Sequence, residues 1–222
     1  MILQRAALFG GTFNPVHFGH LRVAEEVREG FGLDTVYFIP AASPPHKGEK
    51  GLVPASDRYE MLAAATADNP GFSVSEAEIR RGGRSYTIDT VDQFFSASGR
   101  SSQCYLVMGM DAFAEIDTWK SYLALFERIE MIVISRPEPG GQTGWIERIS
   151  EVIAGRVSPQ YAYDRQRRGF FHPDKCAVYP FEVTPLDISA TRIRSLVAEG
   201  GSIRYLVPDA AADYLYKKGL YL

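Results

Sequence analysis

Alternation is the feature that most constrains this chain. Short runs of β-branched or aromatic residues are separated by longer stretches whose apolar positions recur every three or four residues. ILQRAALF (2–9), TVYFIP (35–40), FSVSEAEI (72–79), CYLVMG (104–109) and MIVISRP (131–137) read as strands. Residues 18–30 read as a helix, with Leu21, Ala24, Val27 and Phe31 along one stripe, and helices are expected over 55–68 and 88–97. Strands that are apolar on both sides and alternate with helices predict an α/β fold, its mostly parallel sheet covered by helices on both faces.

The segment PDAAADYLYKKG predicts a terminal helix with Pro208 at its first position, Asp209 in the first turn, Lys217 and Lys218 in the last and Gly219 beyond it. The stretch 155–185 has the weakest periodicity, and we expect an irregular insertion or small subdomain there within a single domain spanning 1–222. Lys and Arg total 24 against 27 Asp and Glu, a net charge of −3. That balance argues against a protein that coats nucleic acid, since phosphate backbones are held by excess cations. A local basic pocket for a small anion stays open. Two cysteines, Cys104 and Cys176, cannot build a disulfide scaffold or a four-thiolate zinc site and read as buried free thiols. No run reaches membrane-spanning length and the start has too short an apolar region for a signal peptide, so a cytoplasmic protein without a membrane partner is expected.

Residues 10–20 read GGTFNPVHFGH, directly after a strand and opening a helix. Gly10 and Gly11 lack a Cβ, so the turn can take positive φ and let a phosphate approach the backbone. The following helix is expected to point free N–H groups at the same spot. His17 and His20, three apart, share one face of a first helical turn. Zinc is the other reading of such a pair, but no further ligand lies nearby in sequence. A second constellation, ISATRIR (188–194), starts another amphipathic segment with Ser189 as N-cap. The hydroxyls of Ser189 and Thr191 and the planar fork of Arg194 suit phosphate oxygens; Arg192 and Arg204 read as surface charges.

Together these two runs resemble the (H/T)xGH and ISxTxxR motifs of the nucleotidyltransferase superfamily. The resemblance implies a Rossmann-like, doubly wound sheet with ATP over the carboxyl ends of the strands. It implies that His17, His20 and Arg194 act on the phosphates, and that Gly10, Gly11, Thr12, Phe13, Ile188, Ser189 and Thr191 bind ATP. PPHK (44–47), GRSYTIDT (83–90), GMDAFAEIDTWKSY (109–122) and SRP (135–137) follow in order. With them the chain is similar to the bacterial nicotinate mononucleotide adenylyltransferases over roughly residues 5–215. For that acceptor the resemblance implies Lys47 and Arg136 at its phosphate, Trp119 as an aromatic platform for the pyridine ring, and Thr87 and the backbone around Trp119 and Lys120 at its carboxylate. Asp111 stands where the family contacts ribose or metal.

The reaction implied joins nicotinate mononucleotide to the adenylyl group of ATP, giving deamido-NAD and pyrophosphate. Mg²⁺ is the expected cofactor, held mainly by the ATP phosphates and not by protein ligands. The partners expected are these small molecules, with no nucleic acid and with homo-oligomerisation left open. Nicotinamide mononucleotide and phosphopantetheine are alternative acceptors, and a sensor that holds ATP without transfer is the alternative from another class. Asn14 and Ala190 depart from the residues commonest at their positions in the family, and neither is assigned a chemical role.

Overall fold

The computed structural model describes residues 5–44, 51–98, 103–135 and 144–222. Among them an eight-stranded sheet runs in the order β3-β2-β1-β4-β5-β8-β7-β6. Its strands are β1 (Arg5–Gly11), β2 (Thr35–Pro40), β3 (Phe72–Val74), β4 (Gln103–Gly109), β5 (Glu130–Ser135), β6 (Ala162–Asp164), β7 (Gly169–Phe171) and β8 (Val178–Glu182). The pairs β2/β3, β4/β5 and β5/β8 are parallel, while β6/β7 and β7/β8 are antiparallel. The helices are α1 (Phe18–Gly30), α2 (Ala55–Thr66), α3 (Ala77–Arg81), α4 (Thr87–Ser98), α5 (Met110–Ala114), α6 (Tyr122–Arg128), α7 (Trp145–Arg156), α8 (Ala190–Ala198) and α9 (Asp209–Lys218). This is the α/β, Rossmann-like sheet expected.

The chain divides into two compact units. One comprises the chain up to Leu8 with Tyr86–Pro185, the other Phe9–Ser85 with Leu186–Leu222. In the first, β4 and β5 are buried on both faces, with Val107 facing Ile132 and Ile132 facing Tyr179 across the ladders. Phe113, Ile116, Leu125 and Phe126 from α5, α6 and the turn between them are fully enclosed. The aperiodic stretch 155–185 supplies β6 to β8. Strands of three to five residues are too short to show a period.

In the second unit Phe38 of β2 is fully buried, with its ring 5.7 Å from those of Phe9 and Phe13 and 5.2 Å from Phe72. The strand expected over FSVSEAEI ends at Val74, and its second half is the short helix α3. Ser75 starts the new geometry, its Oγ accepting the Ala77 N–H at 3.3 Å. Pro208 sits one residue earlier than expected, as N-cap of α9. The rest of that helix agrees: Asp209 lies in its first turn, Lys217 and Lys218 in its last, and Gly219 closes it at a left-handed φ of 63°. No helix among the described residues is long and apolar enough to cross a membrane.

Candidate active site

The site is built in the unit containing Phe9–Ser85 and Leu186–Leu222. Gly10 and Gly11 end β1, and neither takes a positive φ; that conformation falls on Phe13, at 47°. The expectation of a glycine-enabled left-handed turn is therefore corrected. Gly11 is required for space, because a Cβ there would lie 2.8–3.1 Å from the Phe13 ring folded back over it. Gly10 is exposed with no atom within 4 Å of its Cβ position, which leaves the strand end open to a ligand. The Thr12 carbonyl accepts a hydrogen bond from the fully buried Arg58 at 2.8 Å.

His17 is the N-cap of α1 and buried; His20 is its third residue and half-buried. Their rings stack at 3.7 Å with 28° between planes, so the shared face inferred from the spacing is real. The His17 N–H donates to Nδ1 of His20 at 3.3 Å. That bond ties Nδ1 of His20 to the N-cap and fixes the ring's orientation at the start of the helix. The Phe13 ring meets His20 edge-on at 5.0 Å and backs it from the apolar side. Gly19 is as constrained as the histidines, since a Cβ there would sit 3.0 Å from His17 Nδ1 and 3.1 Å from its Cε1. The expectation of free helix N–H groups needs correction too. The Phe18 N–H is engaged by the Leu206 carbonyl at 3.0 Å and the His17 N–H by His20.

The second constellation arrives at the same place. The Ile188 carbonyl lies 3.8 Å from the Cβ position of Gly19, inside the first turn of α1. Ser189 caps α8 as predicted, its Oγ accepting the Arg192 N–H at 3.2 Å. Arg194 donates from Nη1 to the Asn14 carbonyl at 2.8 Å and from Nη2 to Thr191 Oγ1 at 3.2 Å. Both hydroxyls accept in these bonds, which leaves their own protons for a ligand, and three of the five guanidinium N–H donors are not spent on these two acceptors. Residues nearly 180 positions apart in the chain thus form one cluster of cationic and N–H or O–H donors. Donors of these kinds are chemically suited to anionic oxygens.

Three further residues support this cluster and escaped sequence reasoning. The Asn14 side chain donates to the Gly51 carbonyl at 2.8 Å and accepts from the Val53 N–H at 3.3 Å and the Tyr221 hydroxyl at 2.7 Å. Arg58 also donates to the carbonyls of Val53, Ala41 and Ala42, at 3.1, 2.5 and 3.3 Å. Burial pulls its guanidinium pKa down from the usual value. Burial likewise holds the Tyr221 phenol well above its ordinary range, against the pull of Arg194 and Arg58. No local pattern marks these positions, because their partners are distant in sequence.

The expected acceptor residues are distributed differently. Lys47 and Arg136 lie outside the described residues. Thr87, Asp111, Trp119 and Lys120 all belong to the other unit. Thr87 begins α4 half-buried, and Asp111 is exposed in the first turn of α5. Trp119 is half-buried and ends a 3₁₀ turn over Ile116–Thr118, its N–H given to the Ile116 carbonyl at 3.0 Å. Lys120 reaches both Asp89 carboxylate oxygens at 2.9 Å and lies 4.8 Å over the Tyr86 ring. Of the cysteines, Cys104 is buried as expected but Cys176 only half-buried.

Known proteins share this arrangement of sequence and fold. The sequence profile of the cytidylyltransferase-like family matches residues 8–196, a span that includes both motifs. A protein of Syntrophotalea carbinolica named "probable nicotinate-nucleotide adenylyltransferase" is 43% identical over 98% of this chain and 97% of its own length. The protein of the same name from Geobacter metallireducens is 42% identical over 98% of each. The chain belongs to the nicotinate-nucleotide adenylyltransferase family. For this family member the fold extends to more distant structures. The Plasmodium falciparum nicotinic acid mononucleotide adenylyltransferase complexed with NaAD superposes at a TM-score of 0.71 with 15% identity, covering 98% of this chain and 97% of that one. A Vibrio parahaemolyticus structure described as a nicotinate-nucleotide adenylyltransferase gives 0.61 at 17% identity, covering 99% and 96%.

Proposed function

We propose that this adenylyltransferase joins the phosphate of nicotinate mononucleotide to the α-phosphorus of Mg-ATP. An oxygen of the mononucleotide phosphate forms the new P–O bond as the bond from the α-phosphorus to the bridging oxygen breaks. Pyrophosphate leaves with the electron pair, and deamido-NAD remains. The attacking oxygen is already anionic, so no base and no covalent enzyme intermediate is needed. Catalysis consists of positioning and charge stabilisation. His17 and His20, their rings stacked, act on the α- and β-phosphates, while Arg194 holds the departing pyrophosphate. Ile188, Ser189 and Thr191 line the phosphates from α8. Gly10, Gly11, Thr12 and Phe13 shape the strand end on which the nucleotide rests.

The carrying observation is the convergence of Arg194 on Asn14 and of Ile188 on Gly19, which joins the two motifs in one cluster. Mg²⁺ would be held mainly by the ATP phosphates, where it would offset their charge. The cluster His17, His20, Ser189, Thr191 and Arg194 contains no carboxylate, which suits a polyphosphate and leaves the ion to ATP. Lys47, Thr87, Asp111, Trp119, Lys120 and Arg136 are assigned to nicotinate mononucleotide. Because the Lys120 ammonium is paired with Asp89, its contribution comes through the backbone. Residues 1–222 act in this reading as one nucleotidyltransferase domain, in the cytoplasm.

The test is pyrophosphate release from ATP and Mg²⁺ with nicotinate or nicotinamide mononucleotide as acceptor. Release with the nicotinate form is expected; ATP binding without release would turn the reading into a nucleotide sensor. His20→Ala and Arg194→Ala should each lower turnover by about 10²–10³, the usual loss for one donor to a developing charge. Near-normal turnover in either removes that residue from the chemistry.

A further inference from the structure

The chain's penultimate residue touches the candidate site, and nothing in the motifs requires it to. Two left-handed residues, Gly219 at φ 63° and Tyr221 at φ 66°, turn the chain back after α9. For a tyrosine that conformation is strained and persists only where surrounding contacts determine it. The contact is the 2.7 Å bond from the Tyr221 hydroxyl to Asn14 Oδ1. Asn14 is buried, 7% exposed, and its side chain is fixed at both ends: Oδ1 accepts from Tyr221 and Val53 while Nδ2 donates to Gly51. The carbonyl of this same residue accepts Nη1 of Arg194. Nη2 of that guanidinium donates to Thr191 Oγ1, one turn earlier on the same helix, so Asn14 is its tie to the His17 segment.

We propose that Tyr221 is a positioning residue for ATP binding: through Asn14 it holds the guanidinium of Arg194 in place for the outer phosphates. The inference rests on the nucleotide site proposed above but not on the acceptor. Tyr214 provides an internal contrast. Its hydroxyl donates to Asp57 Oδ1 at 2.8 Å and fastens α9 to α2 without touching Asn14. If the C-terminal segment merely held the fold together, the two tyrosines would behave alike.

The experiment is a double-mutant cycle read by calorimetric titration of Mg-ATP, up to millimolar concentration, into the full chain. Tyr221→Phe removes a neutral hydroxyl-to-amide bond and should weaken ATP binding about tenfold, because the Arg194 guanidinium is then no longer held in place for the phosphates. In an Arg194→Ala background the same change should alter affinity less than about twofold, because the group that it positions is gone. Tyr214→Phe should leave affinity unchanged in both backgrounds. An equal loss from Tyr221→Phe in the two backgrounds, no loss in the wild-type background, or an equal loss from Tyr214→Phe overturns the proposal. Pyrophosphate release is measured separately. A chain that binds ATP but transfers nothing to either mononucleotide defeats the proposed reaction and leaves the cycle readable.

Discussion

Gly19→Ala separates the chemistry of this site from its stability. Gly19 is the second residue of α1, where alanine is ordinarily the better helix former by about 1 kcal/mol. Against that gain stands the new methyl, 3.0 Å from His17 Nδ1 and 3.1 Å from Cε1. Ordinary contact between such atoms is about 3.5–4.0 Å, so the imidazole must yield by roughly 0.5 Å. His17 is buried and stacked at 3.7 Å on His20, so the displacement passes to the second ring. Overpacking of this kind costs about 1–3 kcal/mol, leaving a net loss of stability of about 0–2 kcal/mol after the helix gain. Turnover should fall further than that. A misplacement of about 1 Å costs about a hundredfold, so half of it should cost about tenfold or more. The assay is steady-state pyrophosphate release beside a thermal melt of the same preparation. Wild-type turnover in Gly19→Ala would refute the argument that this glycine exists to seat His17.

Three further outcomes follow from the packing around the site and the sheet. Arg58→Met leaves the carbonyls of Thr12, Ala41, Ala42 and Val53 without their shared donor, and should cost about 3–5 kcal/mol; a melt within about 2 °C of wild type would contradict this. Cys104, 5% exposed, lines an open cavity of about 720 Å³ together with Cys176, and burial pushes its thiol up to about 12. A disulfide reagent at pH 8 should therefore label Cys176 first and Cys104 only on unfolding, which mass spectrometry would show. Because the folded pKa exceeds the ordinary 9.0, the thiol favours the fold below pH 9, and that contribution is lost between pH 9 and about 12. Cys104→Val should flatten part of the alkaline loss of stability, measured by denaturant melts across that window.

What was legible in the sequence was whatever is encoded locally. Apolar strand runs such as CYLVMG and MIVIS identify the central strands because both of their faces are buried. Ser189, Asp209 and Gly219 announce helix ends because caps are made within three or four residues. His17 and His20 stack because three residues is one turn. The failures have the opposite cause. The glycine pair looks like a left-handed turn, yet the positive φ falls on Phe13, and Gly11 is needed to clear that residue's ring. Nothing in the sequence singles out Arg58, although it is the largest fully buried side chain among the described residues. Its partners come from three separate segments that no periodicity connects. Gly82 and Gly83 do take positive φ, in a loop where the sequence alone gave no reason to prefer them over Gly10 and Gly11.

Asn14 shows the same limit. The family resemblance has aspartate commonest at this position, nearly isosteric with asparagine, and assigns neither a chemical role. In the structure the difference is one donor: Nδ2 gives its hydrogen to the Gly51 carbonyl at 2.8 Å, and a carboxylate oxygen in its place would face that carbonyl with no proton between them. The other two bonds, from Val53 and Tyr221, end on an oxygen that both side chains possess. Aspartate here would therefore keep the link to Tyr221 and release the tie to Gly51. The Cβ position of Gly51 lies 3.8 Å from Nε of Arg194, so the segment released is one that borders that guanidinium. Asparagine at position 14 thus matters through what it fastens beside Arg194, a role that neither motif nor charge could disclose.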